Sequence, residues 1–334
     1  MNTMPLINKV DLSQYEDSRS IILITSKSAE KIAKSCLKNL ELVSIVIVLT
    51  SDKKAAEALA DVKHSGEVVY AVGGGKVMDV GRFLAHRWGL ECICIPTMIS
   101  SDAFLVNCTG LRNDGCVEYI PSQYAQEVFI DWRLIAKTPW RYQVSGCGDI
   151  LSIYTAIYDW HEVSGHIDQL DDEKYNSEVA VLANSILGTL LSAADELKNE
   201  SEEGLSTILS CLSMEVALCN IYGNSRPEEG GEHFFAYCIE TKMNHFLHGE
   251  MVAFGVLLTA FIQGQKFNEI QMFMDDVRLN YKPVGLSKKL VVETLIELPA
   301  YVRTHKLRRS IYNDFSYEAY SQQIEDFLTE IGVM

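Results

Sequence analysis

The segment VVYAVGGGKVMD, residues 68–79, joins an apolar run, three glycines and the start of a stretch with helical spacing. The apolar run predicts a strand buried in a parallel sheet. Glycines let a backbone approach a phosphate group closely, and a following helix offers N–H groups and the positive end of its dipole. The spacing is neither G-x-G-x-x-G nor a Walker A loop, so it fits a tight strand-to-helix turn as well as a phosphate-binding loop.

Strand and helix patterns alternate around this segment. Apolar runs predict four strands, at residues 21–25, 45–49, 68–72 and 91–95. Helical spacing predicts three helices, at residues 28–40, 53–62 and 76–88. Ser28 is expected to be the N-cap of the first helix. This alternation is typical of a parallel sheet with helices on both faces.

The second half of the chain is predicted to be helical. The predicted helices are residues 151–163, 177–199, 205–222, 248–265 and 287–305. We therefore expect a Rossmann-like α/β nucleotide-binding domain over residues 1–145 and an all-α metal- and substrate-binding domain over residues 146–334. Small-molecule sites favour the carboxyl ends of parallel strands and the boundaries of such domains.

The charge balance disfavours polyanionic partners. The chain has 334 residues, of which 29 are Lys or Arg and 45 are Asp or Glu, so its formal net charge is −16. Nucleic acids and anionic membrane surfaces attract cationic proteins, and neither is an expected partner. A small anionic substrate remains possible, because a local pocket can oppose the overall charge.

The expected compartment is the cytoplasm. Residues 1–17 lack the basic start and apolar run of a signal peptide. We expect no membrane-spanning segment, because no run reaches about 18 apolar residues. The nine cysteines follow no disulfide framework and are expected to be reduced.

Polar side chains also follow the fourth predicted strand. The segment PTMISSD, residues 96–102, supplies the hydroxyls of Thr97 and Ser100 and the carboxylate of Asp102. Loops after neighbouring parallel strands lie at the same edge of a sheet. The segment fits a second ligand loop, and it equally fits a loop held by its own hydrogen bonds.

Three residues of the second half form a candidate metal site. Asp149 follows SGCG, His233 ends GGEH and His248 precedes GE. One carboxylate and two imidazoles leave a fourth position open, which is the pattern of a catalytic divalent ion. Taken singly, Asp149 could cap a helix and each histidine could belong to the core. His245 is expected to be a solvent-facing neighbour.

The order of these motifs resembles a known superfamily. GGGKxxD, PTxxSSD, GxGD, EH and HGExVAxG occur in the order of the iron-containing alcohol dehydrogenases and dehydroquinate synthases. Residues 146–160, GEH at 231–233 and RRSIY at 308–312 are similar to sn-glycerol-1-phosphate dehydrogenases. The resemblance spans about residues 21–312 and implies a dehydroquinate synthase-like fold, often as a dimer or larger homo-oligomer.

The resemblance implies specific roles. The residues that would bind NAD or NADP are Gly73, Gly74, Gly75, Lys76, Asp79, Thr97 and Ser100. Asp79 would stabilise the glycine loop, and Asp102 would lie near nicotinamide and substrate. Asp149, His233 and His248 would bind one divalent metal, with zinc expected and nickel or iron as alternatives.

The implied reaction is the reduction of dihydroxyacetone phosphate to sn-glycerol 1-phosphate, and its reverse. Hydride would pass from the nicotinamide to the carbonyl carbon, which the metal would polarise. The cationic candidates for binding the substrate phosphate are Arg112, Lys242 and Arg309. Asp52, after the second predicted strand, favours NAD, whereas Lys53 and Lys54 oppose that preference.

Three positions depart from the family pattern. Tyr237 stands where many relatives carry a proton-relaying histidine, and a tyrosine hydroxyl is a poorer base at neutral pH. Ala103 replaces a common glycine after Asp102. Arg82 replaces a common lysine and is expected to be a conservative surface change.

Other functions remain open at this point. The same chemistry could act on glycerol or another polyol. A dehydroquinate synthase-type cyclase shares the HGExVA motif, but would use a glutamate at the position of Asp149. The changes at Tyr237 and Ala103 motivate a non-catalytic relative, and the three retained metal ligands argue against one.

Overall fold

The chain divides into two compact units, Met1–Gln143 and Val144–Met334. The computed structural model describes residues 4–166, 173–243 and 245–334. The first unit combines a parallel sheet with helices, and the described part of the second unit is helical. This is the predicted combination of an α/β unit and an all-α unit.

The first unit contains a six-stranded parallel sheet. Its strands are β1 (Leu6–Lys9), β2 (Ile21–Ser26), β3 (Leu42–Val48), β4 (Val68–Gly73), β5 (Glu91–Pro96) and β8 (Glu127–Ile130). Their spatial order is β1-β8-β5-β4-β2-β3. Strands β6 (Cys108–Asn113) and β7 (Cys116–Pro121) form a separate antiparallel hairpin. The helices are α1 (Glu30–Cys36), α2 (Lys53–Ala60), α3 (Gly75–Trp88) and α4 (Trp132–Ile135).

The four predicted strands are β2 to β5. Their burial in the core explains why the sequence pattern could predict them. Residues 21–25 and 68–73 are buried throughout, so these strands are continuous apolar runs. Strands β1, β6, β7 and β8 were not predicted, because they are short or mix polar and apolar residues. The predicted N-cap Ser28 is wrong. Helix α1 begins at Glu30, after Ala29, whose N–H donates to Ser26 Oγ.

The second unit is built from helices. After α5 (Trp140–Val144), which crosses the division, its helices are α6 (Cys147–Leu151), α7 (Ile153–Glu162), α8 (Ser177–Ser192), α9 (Ala194–Lys198), α10 (Glu202–Tyr222), α11 (Gly231–Glu240), α12 (His248–Ile262), α13 (Asn268–Asp276), α14 (Lys288–Thr304) and α15 (Tyr317–Glu330). A 3-10 turn spans Ile311–Asn313. Asp149 lies inside α6 and does not cap a helix, so that reading of Asp149 is wrong.

Helix α10 is long and apolar enough to cross a membrane by length and composition. The apolar runs of the sequence predicted no such segment. Half of its apolar window is buried within the protein, where α10 contacts α8. Leu205, Ile208 and Leu212 are among its buried residues, which is typical of a core helix.

Helix α12 contacts its neighbours through glycine. A Cβ atom on Gly249 would lie 1.8 Å from the carbonyl oxygen of Ser145, and one on Gly148 would lie 2.0 Å from the carbonyl oxygen of Gly249. A Cβ atom on Gly255 would lie 2.6 Å from the carbonyl oxygen of Glu232. Because no side chain fits at these points, α12 approaches α6 and α11 backbone to backbone.

We predict opposite effects of alanine at two helical glycines. Gly249→Ala should lower the free energy of unfolding by about 3 kcal/mol, because the methyl group forces the backbones apart. Gly188→Ala on α8 is the matched control, since nothing lies within 4 Å of its Cβ position. It should stabilise by about 0.5–1 kcal/mol through helix propensity. Urea unfolding of both variants checks this, and equal stability would contradict the close crossing.

Candidate functional site

The glycine segment forms a turn that is fixed to the loop after the next strand. Gly74 is the N-cap of α3, and its carbonyl oxygen accepts from Val77 N at 2.9 Å. Gly73 ends β4, and its carbonyl oxygen accepts from Thr97 N at 2.9 Å. A Cβ atom on Gly75 would lie 2.8 Å from Ser101 Oγ. The two loops therefore pack closely at the carboxyl edge of the sheet.

The structure brings the predicted cofactor residues to this edge. They lie at the end of β4, in the first turns of α3 or in the loop after β5, and β4 and β5 are neighbouring parallel strands. The residues concerned are Gly73, Gly74, Gly75, Lys76, Asp79, Thr97 and Ser100, and Asp102 belongs to the same loop. Lys76 is exposed and Thr97 is buried, whereas Asp79, Ser100 and Asp102 are partly exposed. The helix start and the glycines offer N–H groups to a pyrophosphate.

Asp79 contacts the hairpin as well as its own helix. Its Oδ1 accepts from Arg82 Nη2 at 3.0 Å and from Gly110 N at 3.4 Å. Burial raises the pKa of Asp79 to about 7 despite the opposing charge of Arg82, and the negative charge of Asp102 adds to the rise. The carboxylates of Asp79 and Asp102 therefore influence each other.

The prediction that Arg82 is a surface residue is wrong. Its side chain is fully buried on α3. Ala103, also buried, accepts a hydrogen bond from Arg82 Nε at its carbonyl oxygen. Sequence reasoning missed the burial of Arg82 because most of its partners are main-chain carbonyl groups, which leave no signal in side-chain identity.

Two of the charged residues considered for the preference between NAD and NADP form contacts within the first unit. Asp52 is the N-cap of α2, and its side chain accepts from Ala55 N at 3.0 Å. Lys53 Nζ lies 2.8 Å from Glu118 Oε1. Of the three residues that were weighed for and against NAD, Asp52 and Lys53 therefore already bind other groups of the first unit.

The three candidate metal ligands converge in the second unit. One ligand atom from each of Asp149, His233 and His248 lies within 4.8 Å of the others. His248 Nε2 lies 3.7 Å from Asp149 Oδ1, and the two imidazole rings are 5.4 Å apart between centroids. His233 is buried, and the other two are partly exposed. Solvent therefore reaches Asp149 and His248.

Glu232 orients His233. Its Oε1 lies 3.0 Å from His233 Nδ1 and accepts from Gly230 N at 2.6 Å. Its Oε2 accepts from Thr155 Oγ1 at 2.8 Å. A carboxylate on one imidazole nitrogen is typical of metal-binding histidines, because it holds the proton there and leaves the other nitrogen for the metal.

The surrounding carboxylates control the charge of His233. Burial lowers the pKa of His233, but the hydrogen bond and the charge of Glu232 oppose this effect. Together with the charges of Glu229 and Asp149, they raise the pKa to about 9. The environment thus stabilises positive charge at the position where a cation would bind.

Two further carboxylates support the cluster, and sequence reasoning did not assign them. Asp159 accepts from Gly231 N at 2.8 Å and from Ile311 N at 3.1 Å, so it holds the start of α11. Burial, followed by the charge of Glu232, raises the pKa of Asp159 to about 7. Glu229 accepts from Tyr237 Oη at 2.7 Å. The sequence signals were the place of Glu229 directly before Gly230 and that of Asp159 within the family-like stretch at residues 146–160.

Tyr237, which replaces the expected histidine, lies beside the cluster. It is buried, and its ring is nearly parallel to that of His248, at an angle of 11° and 6.2 Å between centroids. Its hydroxyl donates to Glu229, so the side chain adds an aromatic face and no third imidazole to the site.

Two of the cationic candidates for phosphate binding are paired with acids. Lys242 Nζ lies 2.5 Å from Glu297 Oε2, and Arg309 forms an ion pair with Asp314. Arg112 lies in β6, and its N–H donates to the carbonyl oxygen of Ser51 at 2.8 Å. His245 is exposed, and its Nε2 lies 3.0 Å from the carbonyl oxygen of Val284, as expected for a residue outside the cluster.

Known folds resemble the whole chain. Glycerol dehydrogenase from Schizosaccharomyces pombe superposes with a TM-score of 0.70 at 18% identity, covering 100% of this chain and 93% of that chain. A 2-epi-5-epi-valiolone synthase from Streptomyces hygroscopicus, solved with NAD+ and Zn2+ bound, superposes with a TM-score of 0.62 at 16% identity. The alignment with the synthase covers 97% of this chain and 95% of that chain. Both superpositions confirm the expected dehydroquinate synthase-like fold.

Sequence comparison identifies the family. A family model described as iron-containing alcohol dehydrogenase matches residues 8–139. Glycerol-1-phosphate dehydrogenase (NAD(P)+) of Aeropyrum pernix is 31% identical over 281 residues, which cover 81% of this chain and 78% of the relative. The chain therefore belongs to the iron-containing alcohol dehydrogenase family of oxidoreductases, together with the glycerol-1-phosphate dehydrogenases.

Proposed function

We propose that this chain is a metal-dependent NAD(P)-linked dehydrogenase that interconverts dihydroxyacetone phosphate and sn-glycerol 1-phosphate. The observation that carries the proposal is the convergence of Asp149, His233 and His248 within 4.8 Å in a chain that is 31% identical to a glycerol-1-phosphate dehydrogenase. A non-catalytic relative has no need to keep all three ligands together.

The residues present fit a divalent metal. One hard carboxylate oxygen and two borderline imidazole nitrogens suit zinc, nickel or iron. One ligand atom from each of the three residues lies within 4.8 Å of the others, so one ion could be bound by all three. When bound, the ion acts as a Lewis acid that polarises the substrate carbonyl.

The chain's own residues then have distinct tasks. The turn formed by Gly73, Gly74 and Gly75 supplies N–H groups to the cofactor pyrophosphate. Glu232 keeps His233 in the tautomer and orientation of a ligand. Asp102 contributes a carboxylate next to the glycine turn, where it orients the nicotinamide and the substrate. Holding the hydride donor and the carbonyl in fixed geometry is the main catalytic contribution expected of the protein.

The experiment that tests this function compares substrates and metals. The chain is stripped of metal, zinc, nickel or iron is added back, and NADH or NADPH absorbance is followed with dihydroxyacetone phosphate and with dihydroxyacetone. We expect metal-dependent oxidation with the phosphate ester and little with dihydroxyacetone. Oxidation with dihydroxyacetone alone would reassign the chain as a polyol dehydrogenase. No oxidation with either would exclude the proposed substrate.

We also predict the effect of removing one candidate metal ligand. His248→Ala should abolish metal retention and activity, because two ligands do not hold the ion. The fold should survive, since the His248 side chain is 35% exposed. Metal content after gel filtration, together with circular dichroism, checks both parts.

His245→Ala is the matched control for this variant. His245 is exposed and three residues away from His248, and it is not among the converging ligands. It should therefore keep full metal content. Equal metal retention in the two variants would remove His248 from the site.

Glu232 offers a test that does not depend on activity. Glu232→Gln should weaken metal binding by about 10- to 100-fold, because the neutral amide no longer holds the proton on His233 Nδ1. A competition titration with a chromogenic chelator measures the affinity. Glu240→Gln, at the other end of α11, is the control and should leave the affinity unchanged. Equal affinities for both variants would contradict the role of Glu232.

A further inference from the structure

Arg82 binds the segment that follows Asp102 through all three of its guanidinium nitrogens. Nε donates to the carbonyl oxygen of Ala103 at 2.8 Å, Nη1 to that of Val106 at 2.8 Å, and Nη2 to that of Cys108 at 2.7 Å. These three carbonyl groups belong to the six residues that directly follow Asp102. The side chain is 0% exposed, so water does not compete for these bonds.

The same guanidinium also binds the hairpin and its own helix. Nη1 lies 3.2 Å from Ser122 Oγ, after the second hairpin strand, and Nη2 lies 3.0 Å from Asp79 Oδ1. Ser122 in turn accepts from Thr109 Oγ1 at 3.1 Å. One side chain on α3 thus joins the turn after Asp102 to both ends of the hairpin.

The turn that Arg82 holds contains Asp102. Leu105 N donates to the carbonyl oxygen of Asp102 at 2.7 Å, which closes the turn. On its other side, Ser101 packs against Gly75. Helix α3 begins at Gly75 and carries Arg82 two turns later, so one rigid helix presents the glycine turn and holds the segment that bears Asp102.

Lysine cannot reproduce this arrangement. The guanidinium offers five N–H donors in a planar fork, whereas the ammonium of lysine is a single point with three donors. Carbonyl groups that lose a buried donor remain unsatisfied. A lysine at this position would keep the positive charge but would lose some of the hydrogen bonds to the carbonyl groups of the turn.

We propose that Arg82 is a positioning residue for the reaction, because it fixes the Asp102 turn relative to the glycine turn of the cofactor site. The inference rests on the proposed function. Arg82 is buried behind the turn and acts through Asp102, so it is expected to affect turnover more than cofactor binding.

Arg82→Lys is the principal test, and Arg87→Lys on the same helix is its matched control, since Arg87 is exposed. For Arg82→Lys, we expect kcat to fall by about 10- to 100-fold, as a displacement of about 1 Å does at a reacting group. The cofactor Kd, from fluorescence titration, should change by less than about threefold. Arg87→Lys should match the wild type in both measurements.

A double-mutant cycle separates positioning from a general loss of structure. In an Asp102→Asn background, Arg82→Lys should cost little further kcat, because the group that it positions is already disabled. An equal fold-loss in both backgrounds would overturn the proposal. So would a cofactor Kd that worsens as much as kcat falls.

Hydrogen exchange gives a readout that does not require turnover. Arg82→Lys should accelerate exchange of amides within residues 102–108 and leave residues 68–80 at the wild-type rate. Unchanged exchange at residues 102–108 would overturn the proposal even if the chain reduced no substrate. Failure of the proposed function alone would appear as an inactive wild type with this exchange pattern intact.

A milder variant covers the case in which Arg82→Lys does not fold. Ser122→Ala removes one partner of Arg82 Nη1 and leaves the three carbonyl contacts in place. Like Arg82→Lys, it should lower kcat, but only by about two- to fivefold. No change in kcat or in the exchange of residues 102–108 would count against the proposal.

Discussion

The candidate metal centre depends on one constraint, the backbone contact of α12 with its neighbours at glycine. At Gly249 and Gly148 the backbones of α12 and α6 meet, and a Cβ atom on either residue would overlap a main-chain carbonyl group. Asp149 and His248 are the residues next to these glycines, so the crossing itself brings them to 3.7 Å. Gly255 makes the equivalent contact with Glu232, the residue before His233. Backbone packing, and not loop conformation, therefore assembles the ligands.

The electrostatic environment of the centre is consistent with this geometry. Glu232, Glu229 and Asp149 raise the pKa of His233 against the effect of its burial. Burial, followed by the charge of Glu232, raises the pKa of Asp159 to about 7. Several carboxylates in a poorly solvated region repel one another unless a cation is present. A divalent ion would offset that repulsion, so the surplus of carboxylates around His233 favours metal binding.

In the first unit, the residues of one helix hold the neighbouring loops in place. The glycine turn, Asp79 and Arg82 follow one another along the first half of α3, and each contacts the loop after β5 or the hairpin that follows it. Because Arg82 binds main-chain carbonyl groups, the shape of the Asp102 turn is set by a residue that is remote from it in sequence. A replacement that looks conservative in an alignment can therefore change geometry at the candidate site.

The sequence by itself determined the parts that depend on local pattern. Continuous apolar runs identified β2 to β5, helical spacing identified most long helices, and the order of five short motifs identified the family and the set of Asp149, His233 and His248. Only the tertiary structure decided the burial of Arg82, the support of His233 by Glu232, and the glycine crossings of α12. The physical reason is that Arg82 and the glycines of α12 meet main-chain atoms of residues distant in the chain, and every residue type shares those atoms. For Glu232 and His233, which are neighbours in the chain, the sequence does not fix the side-chain rotamers that bring Oε1 to 3.0 Å from Nδ1.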